Sequence, residues 1–377
     1  MQTERKHLSQ KDLISLSAKE FEKIKHPLHR SKYEIRDCLL GGLALFGLKY
    51  PSLLQFDGEI KGTILNHNIK QLYQIKEVPS DTHFREIIDG IEDYGRLNYV
   101  YDALIRQLQR GKCLVDYYHL GNYYLVSIDG TGYFSSDKIH CKNCCIKHHR
   151  DGRVTYYHQA LSAVLVHPDL KQVFPLAVEP IIKQDGDVKN DCERNAAMRL
   201  LHRLRTSHPN FKIIVVMDAL YANGPLIRLL TELNLDFIIT AKDLKYMYDH
   251  HKYGVQGVHY KRVSNDIEYT YKFSNDLPLN ETHPEIRVNF LEYQEHGKRN
   301  NYANSWISSI TITKEIMHDI VKGGRARWRI ENETFNTLKN HGYHFGHNYG
   351  HGNNNLSIIL CHLMFIAFLI DQIYERF

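Results

Sequence analysis

The sequence predicts an α/β fold preceded by a helical region, and three observations carry that expectation. Roughly the first 120 of the 377 residues show apolar positions at helical spacing. At Asn122 the texture changes to β-branched and aromatic residues, beginning with "YYLVSIDGTGYF". From there strands and helices are expected in the order β-β-β-α-β-α-β, the alternation of an α/β domain.

The elements follow in chain order. Residues 1–36 carry nine Lys/Arg against five Asp/Glu in a helical pattern, and "CLLGGLALFGLKYPSLLQF" looks buried. In "VPSDTHFREIIDGI", Ser80 and Asp81 stand as possible N-caps ahead of a periodic run. "LNYVYDALIRQLQRGK" continues the helical style. After the first strand, "YYHQALSAVLVHP" and "QVFPLAVEPI" read as two more, followed by a helix around 190–207. "FKIIVVMDALYANGPLIRLLTELN" is a strand, a loop and an amphipathic helix, and "DFIITAK" is another buried strand. Residues 246–304 turn polar and aromatic with period-2 alternation, which predicts a small antiparallel β-rich insertion. "NSWISSITIT" adds a strand, and helices run to the end around the loop "NHGYHFGHNYGHGNNN".

Composition bounds the function. With 43% hydrophobic residues the chain can bury a large core, and a formal charge of +5 permits a polyanionic partner without demanding one. The opening "MQTERKHLSQ" shows no secretory pattern, and a cytoplasmic protein is the expectation. The run "LSIILCHLMFIAFLI" (356–370) is short for a bilayer span and is interrupted by His362, so a buried helix and no membrane are expected.

Two aspartates stand at strand ends: Asp129 in "LVSIDGTG" and Asp218 in "KIIVVMDALY". In open α/β sheets ligands gather at the carboxyl ends of strands, although aspartates there also simply start turns. A third carboxylate sharpens the pattern, because Mg2+ takes carboxylate oxygens together with substrate phosphates, and paired ions can clamp an in-line phosphoryl displacement. The stretch "RARWRIENETFNTLK" (325–339) offers Glu331 or Glu333. At 100° per residue Trp328, Glu331, Phe335 and Leu338 share one sector facing the sheet, whereas Glu333 points to solvent. A lone glutamate in an apolar seam needs a cation, so Glu331 is the candidate. An ordinary i−4 ion pair with Arg327 is the plainer alternative.

Asp129 in "IDGTG", Asp218 in "VVMDALYANG" and Glu331 in "RWRIENE" together resemble the DDE transposases of bacterial insertion sequences. The similar subgroup has a β-rich insertion before the Glu and a helix signature of Tyr, two residues, Arg, three residues, Glu, six residues, Lys. Arg327 and Glu331 keep the Arg–Glu spacing, but Gly324 occupies the Tyr position and Leu338 the Lys position, with Lys339 one place late. In the other register Arg329 and Glu333 fit, with Ala326 and Asn340 in place of Tyr and Lys. The resemblance implies an RNase H-like core, with Asp129, Asp218 and Glu331 holding Mg2+ (or Mn2+). It also implies that Arg327 and Lys339 hold DNA phosphates near the cut bond. On this reading residues 1–120 bind the DNA ends, 121–245 begin the catalytic core, 246–304 form the insertion and 305–377 complete the core.

"IHCKNCCIKHHRDG" follows the first aspartate strand, and Cys141-x2-Cys144 has the spacing of two thiolates on one Zn2+. Cys145, His148 and His149 are candidates to complete a structural zinc site, with His347 and His351 as a distant second pair. A reduced, solvated hairpin tip is the alternative.

The expected function is therefore transposition: metal-dependent cleavage at the terminal inverted repeats of the protein's own element, then strand transfer to target DNA by the freed 3′-OH. A dimer is expected when two ends are paired, with the protein on the nucleoid when bound. A structure-selective nuclease or resolvase would share the carboxylates, and a catalytically decayed DNA-binding protein would not use them.

Overall fold

The structure, a computed structural model, describes residues 7–183, 192–241, 245–246, 249–250, 258–264, 267–297 and 301–377. The first six residues of the expected basic helical region lie outside these, as does most of the start of the expected insertion.

Among the described residues the chain opens on α-helices α1 (Gln10–Phe21), α2 (Ile35–Gly47), α3 (Leu53–Ile60), α4 (Thr63–Asn68), α5 (Asp81–Asp89) and α6 (Asn98–Arg110). Ser9 and Ser52 cap α1 and α3 by accepting from Asp12 N and Gln55 N. The apolar faces of these helices merge into one core with the last helix, α11 (Leu356–Arg376). That helix is long and apolar enough to cross a membrane, but 94% of its most apolar window is buried inside the protein. At about 1.5–3 kcal/mol for each fully buried Leu, Ile or Phe, it contributes much of the cohesion between the two ends of the chain.

The sheet explains the site. β1 (Tyr118–His119) pairs with the start of β2 (Tyr123–Ser136), and β4 (Val154–His167) and β5 (Leu170–Ile181) follow antiparallel, with the short β3 (Cys145–His148) on the far end of β4. After α7 (Glu193–Ser207), β6 (Ile213–Met217) lies parallel to β2; after α8 (Gly224–Glu232), β7 (Asp236–Thr240) lies parallel to β6. The spatial order β5-β4-β2-β6-β7, three antiparallel strands followed by two parallel ones, is that of an RNase H-like α/β core.

The strands after β7 are not set apart from this sheet. β8 (Val258–Ser264), β9 (Ile267–Asn280), β10 (His283–His296) and β11 (Asn301–Ser308) extend it as an antiparallel ribbon, with β11 paired to β7 through Trp306, Ile307 and Ser308. Next come α9 (Met317–Ala326), a π-helical turn at Ile330–Phe335 and the short α10 (Asn336–Asn340).

Two local expectations need correction. β2 does not end at Asp129, because "GTG" continues the antiparallel ribbon with β4 to Ser136 through a bulge near Gly132. Only the parallel pairing to β6 stops short of it, at Ser127. The helix carrying Glu331 also does not keep a 100° step. Its π turn closes i→i+5 and rotates less per residue, so Ile330, Thr334, Phe335 and Leu338 are buried and Trp328 is half exposed.

Candidate active site

Asp129 lies one residue beyond Ile128, just past the last β2–β6 pair, and Asp218 directly follows β6, so both stand at the carboxyl edge of the parallel strands. Asp218 caps a 3₁₀ turn, its Oδ1 accepting from Leu220 N at 2.8 Å, which fixes the carboxylate's orientation. The helix carrying Glu331 is pinned to the same strand, since Ser127 Oγ donates to the Arg327 carbonyl at 3.1 Å.

Arg327 is the centre of the arrangement. It is buried, and its Nη1 donates both to Asp129 Oδ2 at 3.0 Å and to Glu331 Oε1 at 2.7 Å. Two carboxylates 202 residues apart in the chain thus share one guanidinium nitrogen. The Asp129 carboxyl is nonetheless pushed up to about 7, first by burial and further by the neighbouring Glu331, while Gly130 N–H and Arg327 pull the other way. A single fixed cation under-compensates this pair, and the donors are all hard oxygens, the environment a divalent ion fits.

The competing glutamate is occupied elsewhere. Glu333 accepts from Arg329 Nη1 at 3.1 Å, and Arg329 Nη2 donates to the Pro168 carbonyl in the β4–β5 turn. Both signature registers therefore form i,i+4 pairs, and only the Arg327–Glu331 pair reaches an aspartate of the strand edge. Glu333 is not directed freely into solvent as the helical wheel predicts; its side chain is 21% exposed. Lys339 is exposed on α10. Gly324 has a structural reason for standing at the signature's Tyr position: a Cβ there would lie 2.4 Å from Trp306 Nε1.

Sequence reasoning missed Glu193, at the start of α7. Its carboxylate accepts from Tyr221 OH at 2.6 Å and sits over Gly130, where an added Cβ would lie 3.1 Å from Glu193 Cδ. Tyr221, raised well above the usual phenol range by burial first, also faces Asp129 and Asp218. The only signal was the adjacency of Asp129 to a glycine, whose missing side chain admits the fourth carboxylate.

A family model described as "Transposase DDE domain" matches residues 147–369, which include Asp218 and Glu331. The chain belongs to the DDE transposase domain family. Membership makes this a DNA-processing enzyme of the transposase type, a catalyst of phosphoryl transfer with DNA as its partner. No curated relative matches the sequence. Among solved structures, the crystal structure of the NurA nuclease from Sulfolobus solfataricus is similar at a TM-score of 0.27 and 12% identity. That likeness covers 60% of this chain and 84% of that one.

This DDE-family chain holds a second cluster beyond the carboxylates. Cys141 and Cys144 approach each other with their sulfurs 3.8 Å apart, and they meet His158 of β4 and His351 of the loop before α11. Cys145, His148 and His149 do not join them. On β3 Cys145 turns to the Ile181 carbonyl, His148 is exposed, and His149 Nε2 meets Thr155 Oγ1. His347 packs edge-on against Tyr349 and is likewise outside the cluster.

Proposed function

We propose that this protein cuts DNA at the ends of its own element and joins the freed 3′-OH to target DNA, with Asp129, Asp218 and Glu331 as the metal-binding carboxylates. The single observation that carries the assignment of Glu331 is the Arg327 bridge, which draws this glutamate to Asp129 at the strand edge shared with Asp218. Mg2+ or Mn2+ held there would supply a Lewis acid for the scissile phosphate and an activated attacking oxygen, water first and then the 3′-OH. Arg327 keeps the two acidic side chains in register and offsets part of their charge. No side-chain nucleophile is required.

A cleft of about 470 Å³ runs between the β8–β10 ribbon and α9, lined by Arg262, His318, Lys322, Arg325 and Arg329 among tyrosines. Asp169 and Glu295 pair with Lys322 and Arg325 there, but the cations outnumber these acids and stand among aromatic faces, which suits contact with a DNA backbone and its bases. Lys339, exposed on α10, suits a phosphate contact near the cut bond. Arg327 is engaged by carboxylates instead, so its role here is charge compensation and positioning. The helices of residues 1–120 would bind the terminal repeats, and two chains would pair two ends in the cytoplasm.

The test is a nicking and strand-transfer assay on duplexes carrying the gene's flanking DNA. Asp218→Asn should bind these duplexes in a gel shift and fail to nick them. Wild-type protein that nicks branched DNA regardless of flanking sequence would favour the structure-selective nuclease instead.

A further inference from the structure

We propose that Cys141, Cys144, His158 and His351 bind one zinc ion, a structural clip fastening the loop before α11 to the sheet ribbon that carries Asp129. All four side chains are buried, and their ligand atoms lie within 4.8 Å of one another. The geometry matches a tetrahedral S2N2 site. With Zn–S of about 2.3 Å and Zn–N of about 2.0–2.1 Å, such a site has S–S edges of about 3.8 Å and S–N edges of about 3.6 Å. The two sulfurs stand 3.8 Å apart, and the sulfur-to-Nε2 distances are 3.3 Å (Cys141–His158), 3.4 Å (Cys144–His158) and 3.2 Å (Cys144–His351).

Several features of the chain serve this convergence. The CxxC turn places both sulfurs on one side, with Cys141 N donating to Cys144 Sγ at 3.4 Å. His158 pairs across the ribbon with Phe134 of β2, a few residues before the turn. His351 arrives from far along the chain, flanked by Gly350 (φ +127) and Gly352 (φ +65), backbone conformations that L side chains rarely adopt. Both imidazoles present Nε2 to the sulfurs, while among the described residues neither Nδ1 has a hydrogen-bond partner. Ring packing orients them instead: Tyr133 stacks on His158, and Phe134 lies against His351. Hydrogen bonds from Lys142 N to Asn353 O and from Asn143 Nδ2 to Asn354 O hold turn and loop side by side.

The donor set selects the metal class. Two thiolates and two imidazoles in a tetrahedron suit zinc, whereas magnesium prefers oxygen ligands. Four protein ligands leave no open position, so the site is closed and structural rather than catalytic. The clip ties residues 207 apart in sequence, Cys144 and His351, and rests on no assumption about the carboxylate site.

The experiment uses the full chain purified under reducing conditions without chelator. Elemental analysis should find about one zinc per chain. Exchange with Co(II) should give ligand-field bands of a tetrahedral ion with thiolate-to-cobalt charge transfer. The Cys141→Ser/Cys144→Ser double variant should lose the metal, and His148→Ala should keep it. Chelation of the wild type should speed proteolysis within residues 341–355. Folded wild type with no zinc and no tetrahedral cobalt spectrum would overturn the site, as would zinc retained by the double serine variant. Unchanged proteolysis after metal removal would overturn the clip. None of these results bears on DNA cleavage by Asp129, Asp218 and Glu331.

Discussion

At the scale of single residues, the proposal of Glu331 over Glu333 rests on Arg327, because each glutamate has an arginine four residues before it and of these two only Arg327 also reaches Asp129. Glu331→Gln is nearly isosteric, so it should fold normally yet lose cleavage by orders of magnitude, since an amide is a poor ligand for Mg2+. Glu333→Gln weakens a partly exposed pair with Arg329, at a cost within about 1 kcal/mol, and should cleave at a near-normal rate. The two melting curves and nicking rates check this. The Asp129 carboxyl adds a pH signature. Its folded-state value is raised to about 7, so below that pH a proton competes with the metal for the same oxygens. The Mg2+ concentration needed for half-maximal cleavage should therefore rise as pH falls through about 7. Arg327→Ala should move that rise to higher pH, because removing the guanidinium disfavours the carboxylate further. A Mg2+ requirement independent of pH between 6 and 8 would contradict the buried, paired state of Asp129. The helical wheel favoured Glu331 by placing it in an apolar seam with Trp328, Phe335 and Leu338, an error, since Trp328 is half exposed and the Glu331 side chain, at 35%, is more exposed than that of Glu333.

At the scale of elements, that error has a physical source. A helical wheel assumes one angular step, and the π turn at Ile330–Phe335 breaks it where the acidic side chain is presented. The strand carrying Asp129 was legible, but its continuation past the glycines was not, because Gly-Thr-Gly has the composition of a turn and only the cross-strand partner makes it a ribbon. The CxxC pair was visible from spacing and His351 was named with His347 as a distant pair, whereas His158, supplied by a strand, carries no spacing signal. The helix α11 supplies a further prediction. His362 is 1% exposed within it, and burial lowers its imidazole to about 3. The unfolded chain, with an ordinary histidine near 6.5, takes up the proton more readily, so stability falls as pH drops below about 6.5 and keeps falling toward 3. At pH 5 this single group costs about 2 kcal/mol relative to pH 7. His362→Leu should flatten that part of the stability–pH curve, as followed by denaturant titration at both pH values; a variant as acid-sensitive as the wild type would place the cause elsewhere.

At the scale of the whole molecule, the β-β-β-α-β-α-β order was readable because each buried strand is a continuous apolar run, and pairing then gives the RNase H-like core. The relation of the later strands to that core was not readable, since alternation fixes a strand's faces but not its neighbour; β11 joins β7 and makes one sheet of both parts. Nor could the sequence reveal that the opening helices share a core with α11, which makes their deletion a poor test of DNA recognition. Charge reversal at exposed positions is cleaner. Lys25→Glu with Arg30→Glu should weaken binding to the flanking duplex and reduce its salt dependence, leaving the melting temperature unchanged. The central claim is that Asp129, Asp218 and Glu331 form one divalent-metal centre that cuts DNA. Its most direct test is Mg2+-dependent nicking of a linear duplex carrying the gene's flanking sequence, compared between the wild type and Asp129→Asn, Asp218→Asn and Glu331→Gln. The expected result is site-specific nicking by the wild type alone, abolished by chelator, with all three variants still shifting the duplex in a gel. Nicking at the wild-type rate by any one of the three would contradict it.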